Sequence, residues 1–440
     1  MSRSIARQCL APGTTVPPGE VLVATEVGDP SGGLLACPAA PLVGGTLRRR
    51  GVRVSYAPVP RCGDASPSDD GATLFVTSAL QRDGTATAIG AGANSMDAVA
   101  LAAARAAVEE WSAVVGTRRL LDAVSPWCHG AAQALRQVQQ ALMASGTVYV
   151  YGRIAASPQV CAQLEKEGAV FTDSLEDIPN GSTVLIPAHG AAPEVRDEAT
   201  GRGLAVVDAT CPLVAGVQAE VQRFAERGDQ VVLIGQASHA VVAGILGQAP
   251  GRSIIVGSPA SAGVVSAADP RRVSYLLQPG IPVEDTTPVA AALRSRFPAL
   301  RGPDPDAFCY AASDRTETAR SVAASCDVVL VLGAADDADT RYLTGLARSC
   351  HAKAHAIADV TEIAAAWLAG TSAIGLAETT SAAPGLAAQV AQALSGLGPL
   401  SVTRRQVTTE IQVRRKQAGR RPGPRPVTAG RERPASPARG

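Results

Sequence analysis

Three cysteines stand directly after strand-like segments: Cys128 in Ser-Pro-Trp-Cys-His-Gly, Cys211 in Asp-Ala-Thr-Cys-Pro-Leu-Val and Cys309 in Asp-Ala-Phe-Cys-Tyr-Ala. They are separated by 83 and 98 residues, and each interval is long enough for one small α/β lobe. Three lobes would then present one thiolate each to a common centre, at the strand C-termini where such folds place their sites. Iron–sulfur clusters are normally held by four cysteines, so a three-cysteine cubane leaves one iron free to act as a Lewis acid. The competing reading of any one cysteine is a small, often buried hydrophobe, and it is assigned to Cys9, Cys37, Cys62, Cys161, Cys326 and Cys350. Nine cysteines suit a reducing compartment better than a disulfide framework.

The elements that must position these thiols follow a simple grammar from Gly146 onward: a short β-branched run, a polar or glycine turn, then an Ala-rich amphipathic helix. Strands are expected at 147–151, 183–187, 205–208, 230–235, 253–257, 273–277, 327–333 and 352–358, with helices at 159–167, 214–227, 288–297, 316–325 and 383–397. Near-continuous apolar strands alternating with helices predict an α/β protein with parallel sheets covered on both faces. Alternation of Val407, Thr409, Ile411 and Val413 predicts one more strand. Residues 1–116 have a different texture, with strands near 21–27, 52–57 and 73–78, an Asp83-Gly84 turn, and a helix from Asp97 to Trp111 capped by Asn94 or Ser95. They are expected to form a separate N-terminal α+β module without chemistry. Its Gly90-Ala91-Gly92 run holds only two glycines of a phosphate-binding fingerprint and is read as a turn.

The chain has 440 residues, 46% of them hydrophobic, with 40 Lys+Arg against 39 Asp+Glu. No apolar stretch reaches the length that spans a bilayer, and the first residues lack a secretory apolar block; a cytoplasmic protein is expected, with no membrane partner. Charge is uneven: residues 401–440 carry a net +9 and the rest −8. The proline-containing stretch 414–440 is expected to be a basic disordered tail. Without interleaved aromatics for base stacking, it is read as a solvated tail rather than a nucleic-acid binder.

The flanking sequence adds more. Ala188-His189-Gly190, Asp208-Ala-Thr-Cys211-Pro-Leu-Val, Gly235 to His239 with Gly244 and Gly247, Phe308-Cys309-Tyr310-Ala311 with Arg315, and Gly375 to Ser381 occur in this order. The set resembles the LytB-type 4-hydroxy-3-methylbut-2-enyl diphosphate (HMBPP) reductases from about Thr117 to Val413. The resemblance implies a LytB-like domain at 117–413, with lobes of about 117–210, 211–308 and 309–413 around a central [4Fe–4S] cluster held by Cys128, Cys211 and Cys309. It also implies reductive removal of an allylic hydroxyl with two electrons, a step of isoprenoid-precursor synthesis, and an electron donor such as a ferredoxin or flavodoxin.

Position by position, His189 and His239 match two of the family's diphosphate-binding histidines, and Ser381 matches a serine of that grip. The third histidine is replaced within Ala155-Ala156-Ser157, the catalytic glutamate by Val241, the paired threonines by Pro279-Gly280, and the Ser-Ser-Asn grip by Asp337-Ala338-Asp339. Trp127 and His129 replace the small residues beside the first cysteine. Asp337 and Asp339 thus stand at substrate-binding positions, where each carboxylate about 5 Å from a diphosphate would cost roughly 3 kcal/mol per charge pair. The remaining acid candidates are His129, His189 and His239, whose ordinary pKa lies near neutrality. Three functions fit these residues: the isoprenoid reaction itself, the same reductive dehydroxylation on another substrate, or a non-catalytic iron–sulfur protein serving as sensor, electron carrier or scaffold.

Overall fold

The computed structural model describes residues 5–9, 15–29, 33–59, 71–123, 127–154 and 157–409. The tail at 414–440, the end of the expected strand at 407–413, Cys62 and Ala155-Ala156 lie outside them, as does the Cys9 side chain. No described helix is long and apolar enough to cross a membrane.

The N-terminal segment builds one six-stranded sheet from β1 (Ala6–Cys9), β2 (Glu20–Gly28), β3 (Leu34–Ala36), β4 (Arg53–Val59), β5 (Ala72–Leu80) and β6 (Ala86–Asn94), in the order β1-β5-β6-β2-β3 with β4 parallel to β2. Gly90-Ala91-Gly92 is neither a cradle nor a turn: it runs through the interior of β6. A Cβ at Gly92 would sit 2.5 Å from the Thr73 carbonyl, so glycine is required there by the closeness of β5. The helix Ala98–Ser112 is capped by Asp97, which accepts from the Ala100 N–H at 2.9 Å, and not by Asn94 or Ser95.

Three parallel sheets follow. β7 (Arg118–Ala123) precedes Cys128 in the chain. β8 (Val148–Tyr151), β9 (Ala169–Thr172), β10 (Thr183–Ile186) and β11 (Ala205–Asp208) pair in the order β11-β10-β8-β9. β12 (Gln230–Ile234), β13 (Ser253–Val256) and β14 (Val273–Leu277) pair as β13-β12-β14. β15 (Val328–Leu332), β16 (Lys353–Ile357), β17 (Ala373–Glu378) and β18 (Leu400–Arg405) close the third sheet around β7, as β16-β15-β17-β7-β18. Every residue of β14 and β15 is buried, as expected of strands covered on both faces. The helix over 288–297 begins earlier, at Val283, with Pro288 inside it; the last strand is Leu400–Arg405, and 406–409 is irregular.

Two placements differ from the sequence expectation. β7 belongs to the third sheet, with Leu120 opposite Ile374 and Val402, so the lobe expected over 117–210 does not include its own first strand. The N-terminal segment is also not separate. Trp111, Leu42, Leu47 and Val108 share one apolar cluster with Leu330, Leu332, Leu376 and Val390 of the third lobe. Trp111 Nε1–H donates to Thr46 within that core at 3.0 Å. The glycine face of the Ala40–Arg49 helix meets the Thr361 backbone, where a Cβ at Gly45 would clash. Burial of apolar surface, which sequence periodicity assigns to a face but not to a partner, fuses the two.

The second lobe rests on a buried charge. Asp229 is fully buried at the start of β12 and accepts from Ser274 Oγ and Arg227, with Arg301 at 3.6 Å. Burial alone would raise its pKa, but the Ser274 hydroxyl and Arg227 outweigh that and hold the carboxyl below its ordinary range. Its contribution is therefore complete above an unfolded value near 3.8 and is lost as pH falls through the lower folded value. Asp229→Ala should cost about 2–3 kcal/mol by urea denaturation at pH 7, a loss that shrinks on acidification; an unchanged midpoint would refute this role.

Candidate active site

The three cysteines of interest stand at helix starts. Cys211 follows β11 through Ala209-Thr210 and is the N-cap of the helix Pro212–Glu226. That turn is fixed from both sides: the Cys211 N–H donates to the Ala188 carbonyl at 3.0 Å, and Arg196 donates to both Asp208 and Thr210. Cys128 is the N-cap of the helix His129–Ser145, its Sγ accepting from the Ala131 N–H at 3.4 Å. Cys309 lies two residues before the helix Ala311–Ala323.

These helix starts converge. A Cβ at Gly130 would lie 2.6 Å from Cys211 Sγ, so the first helix approaches Cys211 as closely as glycine allows. Cys309 feels both other thiols: burial raises its pKa most, hydrogen bonds from the Ala311 and Gly280 N–H groups pull it down, and negative charge on Cys128 and Cys211 pushes it up again. Among the described residues no trio of His, Cys, Asp or Glu is close enough to hold a single metal ion. Elsewhere, Cys37 is buried and pushed up to about 12, Cys326 to about 11, and Cys161 and Cys350 pack against apolar clusters.

The two matched histidines also meet. His189 follows β10 and His239 follows β12, and their rings stack edge-to-face with centroids 5.4 Å apart. Burial, then His239, pushes His189 down to about 4, and burial lowers His239. His239 Nδ1 accepts from the Val241 N–H at 3.2 Å, which leaves the neutral ring's proton on Nε2. Nε2 faces Gly280, whose φ of +92° favours glycine and whose N–H reaches Cys309. Gly280 thus links the second lobe's histidine to the third lobe's thiol. His189 Nδ1 is buried without a partner.

A proton at His189 is held by the unfolded chain near pH 6.5 but by the folded chain only near 4. Between these values the unfolded state binds more protons, so stability falls as pH drops. Urea midpoints should be lower at pH 5 than at pH 7, and His189→Phe should remove part of that drop; an equal drop in the variant would contradict the assignment.

The third lobe contributes hydroxyls. Thr340, Thr379 and Ser381 form a triangle with oxygens 2.9 to 3.4 Å apart, packed over Gly333, where any Cβ would collide with all three. Asp337 caps the helix Ala338–Ser349, accepting from the Thr340 N–H at 3.0 Å and from its hydroxyl. Asp339 is closed in a two-pronged pair with Arg315, at 2.6 and 2.7 Å, and accepts from the Thr380 N–H at 3.3 Å. Neither carboxylate is therefore a bare charge at its position.

Other expected residues are placed differently. His129 is exposed on the first turn beside Cys128. Val241 is 1% exposed, packed with Val242 and Ile245 in an apolar cluster. Ser157 caps the helix Pro158–Lys166. His355 lies within β16, its ring stacked on Trp367 with centroids 3.9 Å apart. Sequence reasoning missed Gln278, 2% exposed, whose Oε1 accepts from the Gln236 N–H while Nε2 has no partner. A lone amide ending the apolar run of β14 was the available signal. It missed Thr340 and Thr379 as well, which sequence spacing does not bring together.

Residues 120–395 match the family model described as LytB protein. The chain is 40% identical over 296 residues to 4-hydroxy-3-methylbut-2-enyl diphosphate reductase 2 of Mycobacterium bovis, covering 66% of this chain and 90% of that protein. The chain belongs to the LytB family. Against the corresponding reductase of Dechloromonas aromatica, the LytB chain is 36% identical over 278 residues, 63% of its length and 91% of the relative's. A solved structure titled (E)-4-hydroxy-3-methyl-but-2-enyl diphosphate reductase, the terminal enzyme of the non-mevalonate pathway, superposes with a TM-score of 0.52 at 25% identity, covering 63% of the LytB chain and 99% of that one. The Plasmodium falciparum reductase structure shares the fold, with a TM-score of 0.59 at 24% identity over 68% of this chain and 95% of that one. The α/β fold is thus the LytB fold. The family match begins at residue 120, so the whole N-terminal sheet and its two helices lie outside it.

Proposed function

We propose that this LytB chain is an iron–sulfur oxidoreductase that removes an allylic hydroxyl by two-electron reduction, the reaction named for its relatives. In that reaction the C–O bond breaks, a C–H bond forms, two electrons and two protons are consumed, and water leaves. The observation that supports the reading is the approach of three helix starts that each carry one of the cysteines, with Gly130 of the first packed against Cys211 and Cys309 within the electrostatic reach of the other two thiols. This donor set fits a [4Fe–4S] cluster held by Cys128, Cys211 and Cys309. When bound, such a cluster supplies a path for electrons and one iron without a protein ligand.

The chain's own residues then bind and orient. The His239 Nε2–H is a hydrogen-bond donor from a ring kept neutral by burial, and His189 Nδ1 is a buried acceptor or donor awaiting a partner. Ser381, Thr379 and Thr340 offer hydroxyls from the third lobe. Val241 brings no proton and is buried in the apolar cluster of the second lobe. Cys128 is the exposed member of the trio, and on that side an external donor such as a ferredoxin or flavodoxin would deliver electrons.

Anaerobic purification should give a brown protein with about four irons per chain. With dithionite and a viologen mediator it should consume an allylic alcohol, with HMBPP as the first to try. A colourless, iron-free protein after cluster reconstitution would sink the proposal.

A further inference from the structure

Cys309 stands two residues before the helix Ala311–Ala323, and its sulfur depends on that helix because it accepts from the Ala311 N–H as well as from Gly280. Three consecutive residues tie the helix to three different elements. Ser313 Oγ accepts from the Val283 N–H at 2.8 Å and donates to Glu284 at 2.7 Å, both on the second lobe's helix Val283–Arg296. Asp314 accepts from the Thr409 N–H at 2.8 Å and from the Thr409 hydroxyl. Arg315 is paired with Asp339 at the start of the helix Ala338–Ser349. Successive helical residues point about 100° apart, so these ties restrain the helix from three directions. Ala312, Thr316, Ala319 and Ala323 are buried on its remaining side.

The Thr409 tie belongs to a longer run of contacts. Past β18 the chain follows this helix antiparallel and touches it about once per turn: the Arg405 guanidinium donates to Ser321 Oγ at 3.3 Å, the Val407 N–H to Thr318 Oγ1 at 2.9 Å, and Thr409 to Asp314. Thr318 Oγ1 in turn donates to the Asp314 carbonyl at 2.7 Å. The segment thus climbs to within one turn of Tyr310, whose carbonyl accepts from the Asp314 N–H. Both β18 and this segment lie past residue 395, where the family-model match ends. We infer that Val407–Thr409 is a strap that positions Cys309, with Thr409 locking the helix start through Asp314. The inference rests on the reading of Cys309 as a cluster ligand and adds to it a positioning residue that no cysteine or histidine marks. Where three thiolates hold a cubane instead of four, drift of one sulfur from its iron leaves only two in place. Thr409 is exposed, so the strap can be loosened without opening a core.

The test uses the full chain and two variants: Thr409→Val, which removes the hydroxyl donor at nearly constant volume, and Thr409→Ser, which keeps it. Under anaerobic conditions, iron-loaded Thr409→Val should release iron to the chelator bipyridyl about fivefold faster than wild type, and Thr409→Ser at the wild-type rate. The melting temperature of the iron-free chain should stay within about 2 °C of wild type in both. Amide exchange of the iron-free chain reads the same tie without the cluster: residues 311–315 should exchange faster in Thr409→Val than in wild type or Thr409→Ser. Wild-type iron release by Thr409→Val would overturn the inference. So would equal acceleration in Thr409→Ser, or a fall in melting temperature large enough to account for the release. A chain that takes up no iron in any form would fail the cluster reading instead, and unchanged exchange at 311–315 would then overturn the strap by itself.

Discussion

Cys211→Ser should leave anaerobically purified protein almost free of iron, and Cys309→Ser should do the same. Changes outside the ligand sphere of a metal already cost about 10–100-fold in affinity, so loss of one of three thiolates must cost more. Both residues are fixed by backbone hydrogen bonds at helix starts, Cys211 through the Ala188 carbonyl and Cys309 through Gly280 and Ala311. A serine would keep those turns while removing the sulfur. Cys161→Ser and Cys350→Ser, whose thiols pack against the apolar clusters of the first and third lobes, should retain wild-type iron. Iron and sulfide analysis beside the visible spectrum decides the matter. Equal losses in all four variants would mean that iron uptake follows folding in general and not these ligands.

Gly130→Ala should reduce iron nearly as far, although all three thiols remain. The added methyl carbon would lie 2.6 Å from Cys211 Sγ and 2.7 Å from its Cβ, closer than carbon and sulfur can approach. Either the His129–Ser145 helix or the Cys211 turn must then move, and both carry a sulfur of the set. Alanine is worth up to about 1 kcal/mol over glycine within a helix, so the helix itself gains rather than loses. The expected signature is a drop in iron far larger than any fall in the melting temperature of the iron-free chain. Full iron in Gly130→Ala would show that the two helix starts stand further apart in the loaded protein.

Much of this was legible in the chain. Runs such as Gln230–Ile234 and Val328–Leu332 announce buried parallel strands because backbone pairing and side-chain alternation act over a few residues. Cys211, His189 and His239 fall a few residues past such runs, at strand C-termini, whereas Cys309, expected after a strand, instead follows the short helical turn Pro305–Ala307; all of these, and Cys128, could be named from their neighbours alone. Val241 was likewise visible as an apolar residue where its family keeps an acid, and the structure adds only that it is buried. Asp337 and Asp339 were visible too, but only as charges; what neutralises or occupies them was not.

What the tertiary structure decided are the meetings between distant segments. Strand pairing carries β7 into the third sheet beside β17 and β18, and a shared apolar core joins the N-terminal sheet to that same lobe. The Arg315 partner of Asp339, the hydroxyl triangle over Gly333, and the approach of Gly130 to Cys211 join residues 24 to 81 positions apart. Local sequence specifies local hydrogen bonding and the face a side chain takes. Which charge is cancelled, and which glycine must stay small, depends on where the chain returns through space, and that is set by burial and close packing of the whole molecule.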